Sequence, residues 1–198
     1  ETYDNAYLSS SFNGSWNTVY SGLVPDIDAM IAAGSEAESW IHVAAGKILK
    51  GYALQMLVDK HGDIPYSEAW LGTDNLSPKV DAATAVYDAV EGLYNEAIAD
   101  LGKTAIGAPG VDIYYGGDKA KWTTLANTLK FRLALNKGDA GGVAGALSAG
   151  VIDSKSDDWV FQYGTNRSNP DSRHPWYRSA YESYASSYTS NYYMWELM

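Results

Sequence analysis

Between Gly116 and Gly138 the chain alternates apolar and polar positions with the period of an α-helix. Trp122, Leu125, Ala126, Leu129 and Leu133 share one face at that period. Phe131 and Leu135 form a second stripe, while Lys119, Lys130 and Lys137 occupy the remaining side and should meet water. Asp118 is placed to cap the start by accepting a free backbone N–H, and Gly138 to close the end. A helix that is apolar on two sides is packed on two sides, so other helices must flank it. Trp122, Leu125, Ala126 and Leu129 also fit half of the tetratricopeptide pattern, with Ala in place of Gly.

The rest of the chain reads around that helix. Residues 1–13 hold Tyr3, Tyr7 and Phe12 among Ser and Asn and read as an ordered loop. A helix begins near Gly14 with Trp16, Val19, Tyr20, Leu23, Ile27, Met30 and Ile31 at helical spacing. Pro25 should kink or restart it, and Gly34 should end it. Ser35 and Glu38 match a capping box, which predicts a second helix running to about Asp59. That helix is apolar on several sides and therefore central, and it forms a hairpin with the first across a very short turn. Residues 61–81, HGDIPYSEAWLGTDNLSPKVD, make a connection of the length that is often functional. In it Gly62 stops the helix and Pro65 forces Ile64 into an extended conformation. A third helix spans about Ala82 to Leu101, with Val86, Val90, Leu93, Ala97 and Leu101 inward. A Gly-rich loop with Tyr114 and Tyr115 leads to the organising helix, and a short Ala- and Gly-rich helix follows at about Asp139–Ala149. Beyond Val151 the pattern turns irregular and tyrosine-rich. A short strand or loop fits Trp159–Tyr163, and one helical turn fits near Trp176–Tyr184.

Composition narrows the function classes. At 198 residues folding should bury roughly 70% of the extended chain's surface, enough for a core without staples. There is no Cys, so no disulfide or thiolate metal site holds the chain. A net charge of −10 argues against a nucleic-acid partner, which needs a basic face. No apolar run approaches the roughly 20 residues of a membrane span, and no signal peptide or lipidation Cys is visible. The opening ETYDNAYLSS reads as the interior of a longer chain. Aromatic residues make up 13%, carried by 16 Tyr and 7 Trp, and such side chains suit partly wet surfaces.

Catalytic and cofactor patterns are missing. His42, His61 and His174 lack zinc spacing, and Lys155 interrupts DSKSDDW where a calcium loop wants an acceptor. The chain has no nucleophile elbow, P-loop or dinucleotide fingerprint. The carboxylate pairs Asp26/Asp28 and Asp59/Asp63 read as helix surface and helix end. NGS at 13–15 and NRS at 166–168 match the glycosylation acceptor, a frequent chance match.

GDIPYSEA at 62–69, PKVDAATAVYDAV after it and GGDKAKWTTLANTLKFRLALN later occur in one order. On these motifs the chain resembles the SusD/RagB family of outer-membrane nutrient-uptake lipoproteins of Bacteroidetes. That family carries an aromatic–GD[IV]PY-x-EA turn, a Pro–Asp–vYdai helix start and a GD-x-x-KW-x-x-x-AN-x-L-x-R-L-x-L helix. His61 stands where the family has an aromatic, and Asn169–Pro170 is similar to the NP that follows its core helices. The resemblance covers about residues 14–170. It implies an all-α fold of tetratricopeptide-like antiparallel helix pairs with long loops and an irregular aromatic-rich C-terminal part. It also implies a loop-rich glycan-binding face and a SusC-like TonB-dependent porin as partner, over which the protein sits as a lid. The family's lipid-bearing Cys, its DPR segment and its C-terminal half are absent from this chain. The 198 residues are therefore expected to form a single domain that is part of a larger SusD-like domain. Its helical core would lie at about 14–150 and its loop-rich aromatic segment at about 151–198. Membrane attachment would run through a lipid anchor outside this chain.

The expected function is non-catalytic binding of oligosaccharide, or another nutrient such as peptide, at the surface of the outer membrane, with no enzyme activity, cofactor or metal. The alternatives are a helical-repeat scaffold for protein partners and an α-helical glycosidase. Sugar rings stack C–H faces on Trp and Tyr, and their hydroxyls bond to Asn, Asp and Arg. Pro175 limits the backbone of Trp176 and Tyr177, with Arg173 and Arg178 beside them and Asn166, Arg167 and Asn169 upstream. The candidate glycan-binding residues are therefore Trp176, Tyr177, Asn166 and Arg167, with Trp70 and Asn75 at the tip of loop 61–81 and Tyr3 near the start.

Overall fold

The computed structural model describes residues 8–105, 111–168 and 170–177. The chain divides into two compact units, 1–159 and 160–198. The described residues of the first unit form six helices: α1 (Asn13–Asn17), α2 (Val24–Glu36), α3 (Trp40–His61), α4 (Ala83–Leu101), α5 (Lys119–Lys137) and α6 (Ala140–Ala149). Each of α2 to α6 packs on its neighbour in sequence. This is the expected all-α architecture of tetratricopeptide-like pairs. α3 lies at the centre, with Ile41, Ala44, Ile48, Leu54, Leu57 and Val58 buried on several sides. Val86, Val90, Tyr94 and Ala97 of α4 and Trp122, Leu125, Leu129 and Leu133 of α5 complete one continuous core.

The organising helix is capped as its sequence requires. The Asp118 carboxylate accepts the N–H groups of Ala120 (2.9 Å) and Lys121 (3.1 Å). Gly138 takes the left-handed conformation at φ 69° that ends the helix. Trp122 is buried to 1% exposure, edge-on to Tyr114 and Tyr115, and its indole N–H reaches Asp112 at 2.8 Å. The second stripe is less covered than expected, since Leu135 is exposed.

Four local expectations are corrected. The segment before α1 is a 3-10 turn, Ser9–Phe12, in place of a loop. Pro25 does not interrupt and restart the first helix, because Thr18–Leu23 is a π-helical turn that joins α1 to α2 without a break. A proline ring normally collides with the carbonyl four residues earlier, and a widened turn there makes room. Gly34 does not end the helix, which runs on to Glu36. Instead Gly34 lets α3 approach, for a Cβ there would sit 3.1 Å from Val43 Cγ2. The Ser35–Glu38 capping box is absent. The Ser35 hydroxyl bonds back to the Ile31 carbonyl (2.7 Å), Glu38 has φ 51°, and α3 starts after Ser39.

Loop 61–81 folds back onto the core, where Tyr66 and Trp70 pack against it. Ile64 is fully buried and pairs with Asp81 through two backbone hydrogen bonds, 3.2 and 3.0 Å. The Asp81 carboxylate accepts from the backbone of Ser67 (2.7 Å) and Tyr66 (2.9 Å) and from the Ser67 hydroxyl (2.8 Å). The Ser67 bonds foremost hold its pKa below the usual range. Asp63 receives the Ala83 N–H at the start of α4 (2.8 Å). Two more members of the carboxylate pairs hold neighbouring helices, Asp28 through Lys50 (2.7 Å) and Asp59 through Arg132 (3.0 Å).

Candidate functional site

Among the described residues of the second unit, Gly164, Asn166 and Ser172 close a hairpin-like turn. The Gly164 N–H donates to the Ser172 carbonyl (2.8 Å), and the Ser172 N–H donates to the Asn166 carbonyl (3.2 Å). The Ser172 hydroxyl accepts the Asn166 N–H (3.2 Å). Ser172 thus ties both sides of the turn, so close to Gly164 that no side chain fits there. Trp159–Tyr163 is the loop alternative, with no strand in these residues.

Closing the turn sets Tyr163 against His174, ring centroids 4.6 Å apart. Phe161 adds a ring 4.8 Å from Tyr163, and Trp176 one 6.4 Å from His174. Four rings therefore follow one another, each steeply inclined to the next. Trp176 is 77% exposed and Tyr163 47%. The short α7 (Pro175–Tyr177) carries the end of the row, and His174 Nδ1 accepts the Trp176 N–H at 3.1 Å. Beside the rings, Arg173 forks onto Asp171 through Nε (3.0 Å) and Nη2 (2.9 Å). Its guanidinium lies 5.9 Å from the Tyr177 ring centroid. Tyr163, Gly164, Thr165, Arg167, Arg173, His174 and Tyr177 enclose a cleft of about 320 Å³. Exposed aromatic faces beside a cleft suit a ligand that presents flat C–H faces.

Of the candidates read from sequence, Arg167 and Tyr177 line this cleft. Trp176 extends its ring row, and Asn166 frames its turn through backbone groups. Asn169 and Arg178 lie outside the described residues. Trp70 and Asn75 belong to the first unit and are half-buried. The Trp70 ring stacks on Tyr20 at 5.2 Å and 18°, and its N–H donates to the Tyr20 carbonyl at 3.0 Å. Lys50 Nζ lies 5.4 Å from its centroid. Asn75 donates to Glu68 (3.0 Å) and accepts the Ser77 N–H (3.0 Å). Tyr3 lies outside the described residues. Tyr163, Thr165 and His174 were missed as site residues. The alternation of Phe161 and Tyr163 was the available signal, since residues two apart on extended backbone share a side.

Among the described residues no group of three His, Asp or Glu side chains is arranged to hold a metal ion. No helix among them is long and apolar enough to cross a membrane.

Residues 2–197 match the model of the SusD-like family described as starch-binding and associating with the outer membrane. A chitin-binding protein of known structure is 28% identical, with a TM-score of 0.67 over 77% of this chain and 34% of its own. A SusD/RagB family protein from Bacteroides thetaiotaomicron is 26% identical, with a TM-score of 0.69 over 80% of this chain and 35% of its own. A SusD homologue from Bacteroides fragilis, 18% identical, shares the fold over 90% of this chain and 37% of its own, with a TM-score of 0.66. The chain thus spans about a third of the length of these structures. No curated protein shows significant sequence similarity to it.

Proposed function

The chain belongs to the SusD-like family, and on that premise we propose that it binds oligosaccharide without catalysis and delivers it to a SusC-like TonB-dependent transporter at the surface of the outer membrane. The observation that carries this reading is the exposed ring row from Phe161 to Trp176 beside the Arg173–Asp171 fork. Aromatic faces held by their neighbours lose little entropy on contact with a sugar ring. The fork onto Asp171 fixes the plane of the Arg173 guanidinium beside those rings. The family description and the chitin-binding relative point the same way. The full-length protein is the working form for delivery, with the transporter as its partner and a lipid anchor as its attachment.

The test measures retardation of the protein in gels containing starch, xylan or soluble chitin derivatives, followed by calorimetry with the matching oligosaccharide. Trp176→Ala should weaken binding by about 1–3 kcal/mol, the value of one large apolar face, with the melting temperature nearly unchanged. Unchanged affinity would remove Trp176 from the site. Steady release of reducing ends by the purified protein would overturn the non-catalytic reading. Co-purification with the transporter tests delivery.

A further inference from the structure

A second arrangement of polar side chains lies in the helical unit, with none of the cleft's residues. Asp59, at the end of α3, gathers donors from two other helices. Tyr87 of α4 donates its hydroxyl to Oδ1 (2.7 Å), Asn136 of α5 donates Nδ2 to the same oxygen (2.9 Å), and Arg132 of α5 donates Nη2 to Oδ2 (3.0 Å). These four side chains line an open depression of about 380 Å³, within the range of small-ligand clefts. Arg132 is 45% exposed at its side chain and lies 5.9 Å from the Tyr52 ring, which Trp159 braces edge-on at 5.3 Å.

The bonds to Asp59 fix what each partner has left. A carboxylate only accepts, so Asn136 must turn its amino group inward and its Oδ1 outward. Burial first, and the bond to Asp59 second, push the Tyr87 hydroxyl up to about 12. It therefore stays protonated and donating, with its oxygen lone pairs turned away. Arg132 keeps the N–H groups of Nε and Nη1, which make no hydrogen bond among the described residues. The depression thus offers donors from Arg132 and acceptors from Asn136 and Tyr87, with the Arg132 charge balanced by Asp59. A hydroxyl group both donates and accepts, and vicinal hydroxyls match such a mixed set. A carboxylate or sulfate would meet outward acceptors and no uncompensated cation.

We propose that the depression formed by Asp59, Tyr87, Arg132 and Asn136 is a second saccharide site, selective for the vicinal hydroxyls of neutral sugars. It engages a glycan chain independently of the Trp176 cleft. The test is proton–nitrogen NMR on the full chain, titrated with maltohexaose and xylohexaose and, as the anionic control, trigalacturonate. At least one neutral sugar should shift the Arg132 Nε–H and Asn136 amide signals. Asn136→Ala should lower the affinity read at Arg132 by about tenfold, the loss of one hydrogen bond, with an unchanged melting curve. Trp176→Ala should leave the Arg132 shifts in place even if it abolishes binding at the cleft, which separates the two sites. The proposal is overturned if no neutral sugar moves either signal, if trigalacturonate moves them more strongly, or if Asn136→Ala leaves the affinity unchanged. Should Asn136→Ala not fold, the titration of the unsubstituted chain decides alone.

Discussion

Gly51 lies where Tyr94 of α4 presses on α3, and replacing it tests the packing directly. A Cβ built on Gly51 lies 2.6 Å from Cε1, 3.0 Å from Cζ and 3.2 Å from Cδ1 of Tyr94. Carbon atoms at rest stand about 3.5–4.0 Å apart, so either the ring or the helix must move by about 1 Å. The ring has little room, since Tyr94 is fully buried and its hydroxyl donates to Gln55 at 3.2 Å. Overpacking of this kind costs about 1–3 kcal/mol, and a methyl at 2.6 Å belongs at the upper end. Against it, Ala is favoured over Gly in a helix by about 1 kcal/mol. Gly51→Ala should therefore destabilise by about 2 kcal/mol, or about 4–8 °C in melting temperature at this chain length. Gly92 in α4 supplies the control, because nothing lies within 4 Å of a Cβ there. Gly92→Ala should stabilise by up to about 1 kcal/mol through the same propensity. Urea unfolding followed by circular dichroism reads both. If the two substitutions shift stability in the same direction, the α3–α4 contact is not as described.

Two further substitutions probe the organising helix. Trp122→Ala should cost about 3–5 kcal/mol through the cavity it leaves, read by urea unfolding, and an unchanged curve would place Trp122 at the surface. Burial alone would raise the Asp112 pKa, but bonds from the Trp122 indole and from the backbone of Gly117, Tyr114 and Tyr115 outweigh it and hold it low. A carboxyl with a depressed folded pKa contributes fully above its unfolded value of about 3.9 and loses that contribution as pH falls through the folded one. The stability difference between the unsubstituted chain and Asp112→Asn should thus shrink on acidification below about pH 4. A gap that stays constant from neutral pH into acid would show that Asp112 is not held as a carboxylate.

Where a helix boundary is set by local chemistry, it is legible in the chain. Asp118 and Gly138 were read correctly because a cap and a left-handed end depend on a few neighbouring backbone groups. Where a residue's role depends on what packs against it, local reading misassigns it. Gly34 resembles a helix stop, yet its lack of a side chain serves Val43 on the next helix. Ser35 and Glu38 have capping-box spacing, yet the Ser35 hydroxyl remains inside a helix that continues past it. Pro25 announces a break that the π turn absorbs. The ring row of the second unit was half legible, since Trp176 and Tyr177 follow a proline. Tyr163 and His174 come together only through the Ser172 bonds across the turn, which no local spacing announces.

The π turn and Trp70 explain each other. A π turn shifts hydrogen-bond partners by one residue, and the Tyr20 carbonyl within it accepts the Trp70 indole. The Tyr20 hydroxyl reaches the Pro65 carbonyl at 2.6 Å, so one residue holds loop 61–81 at two points. Trp70 sits at φ 60°, a conformation costing an L-residue about 1–2 kcal/mol. The stack on Tyr20 and the hydrogen bond offset that cost only while the ring stays in place. A ligand using the inner face of Trp70 would have to displace Tyr20 and release the loop, whereas one using Trp176 meets a ring already turned to solvent. The two tryptophans thus differ not in residue type but in exposure, since Trp70 is half-buried in its stack on Tyr20 while Trp176 is 77% exposed.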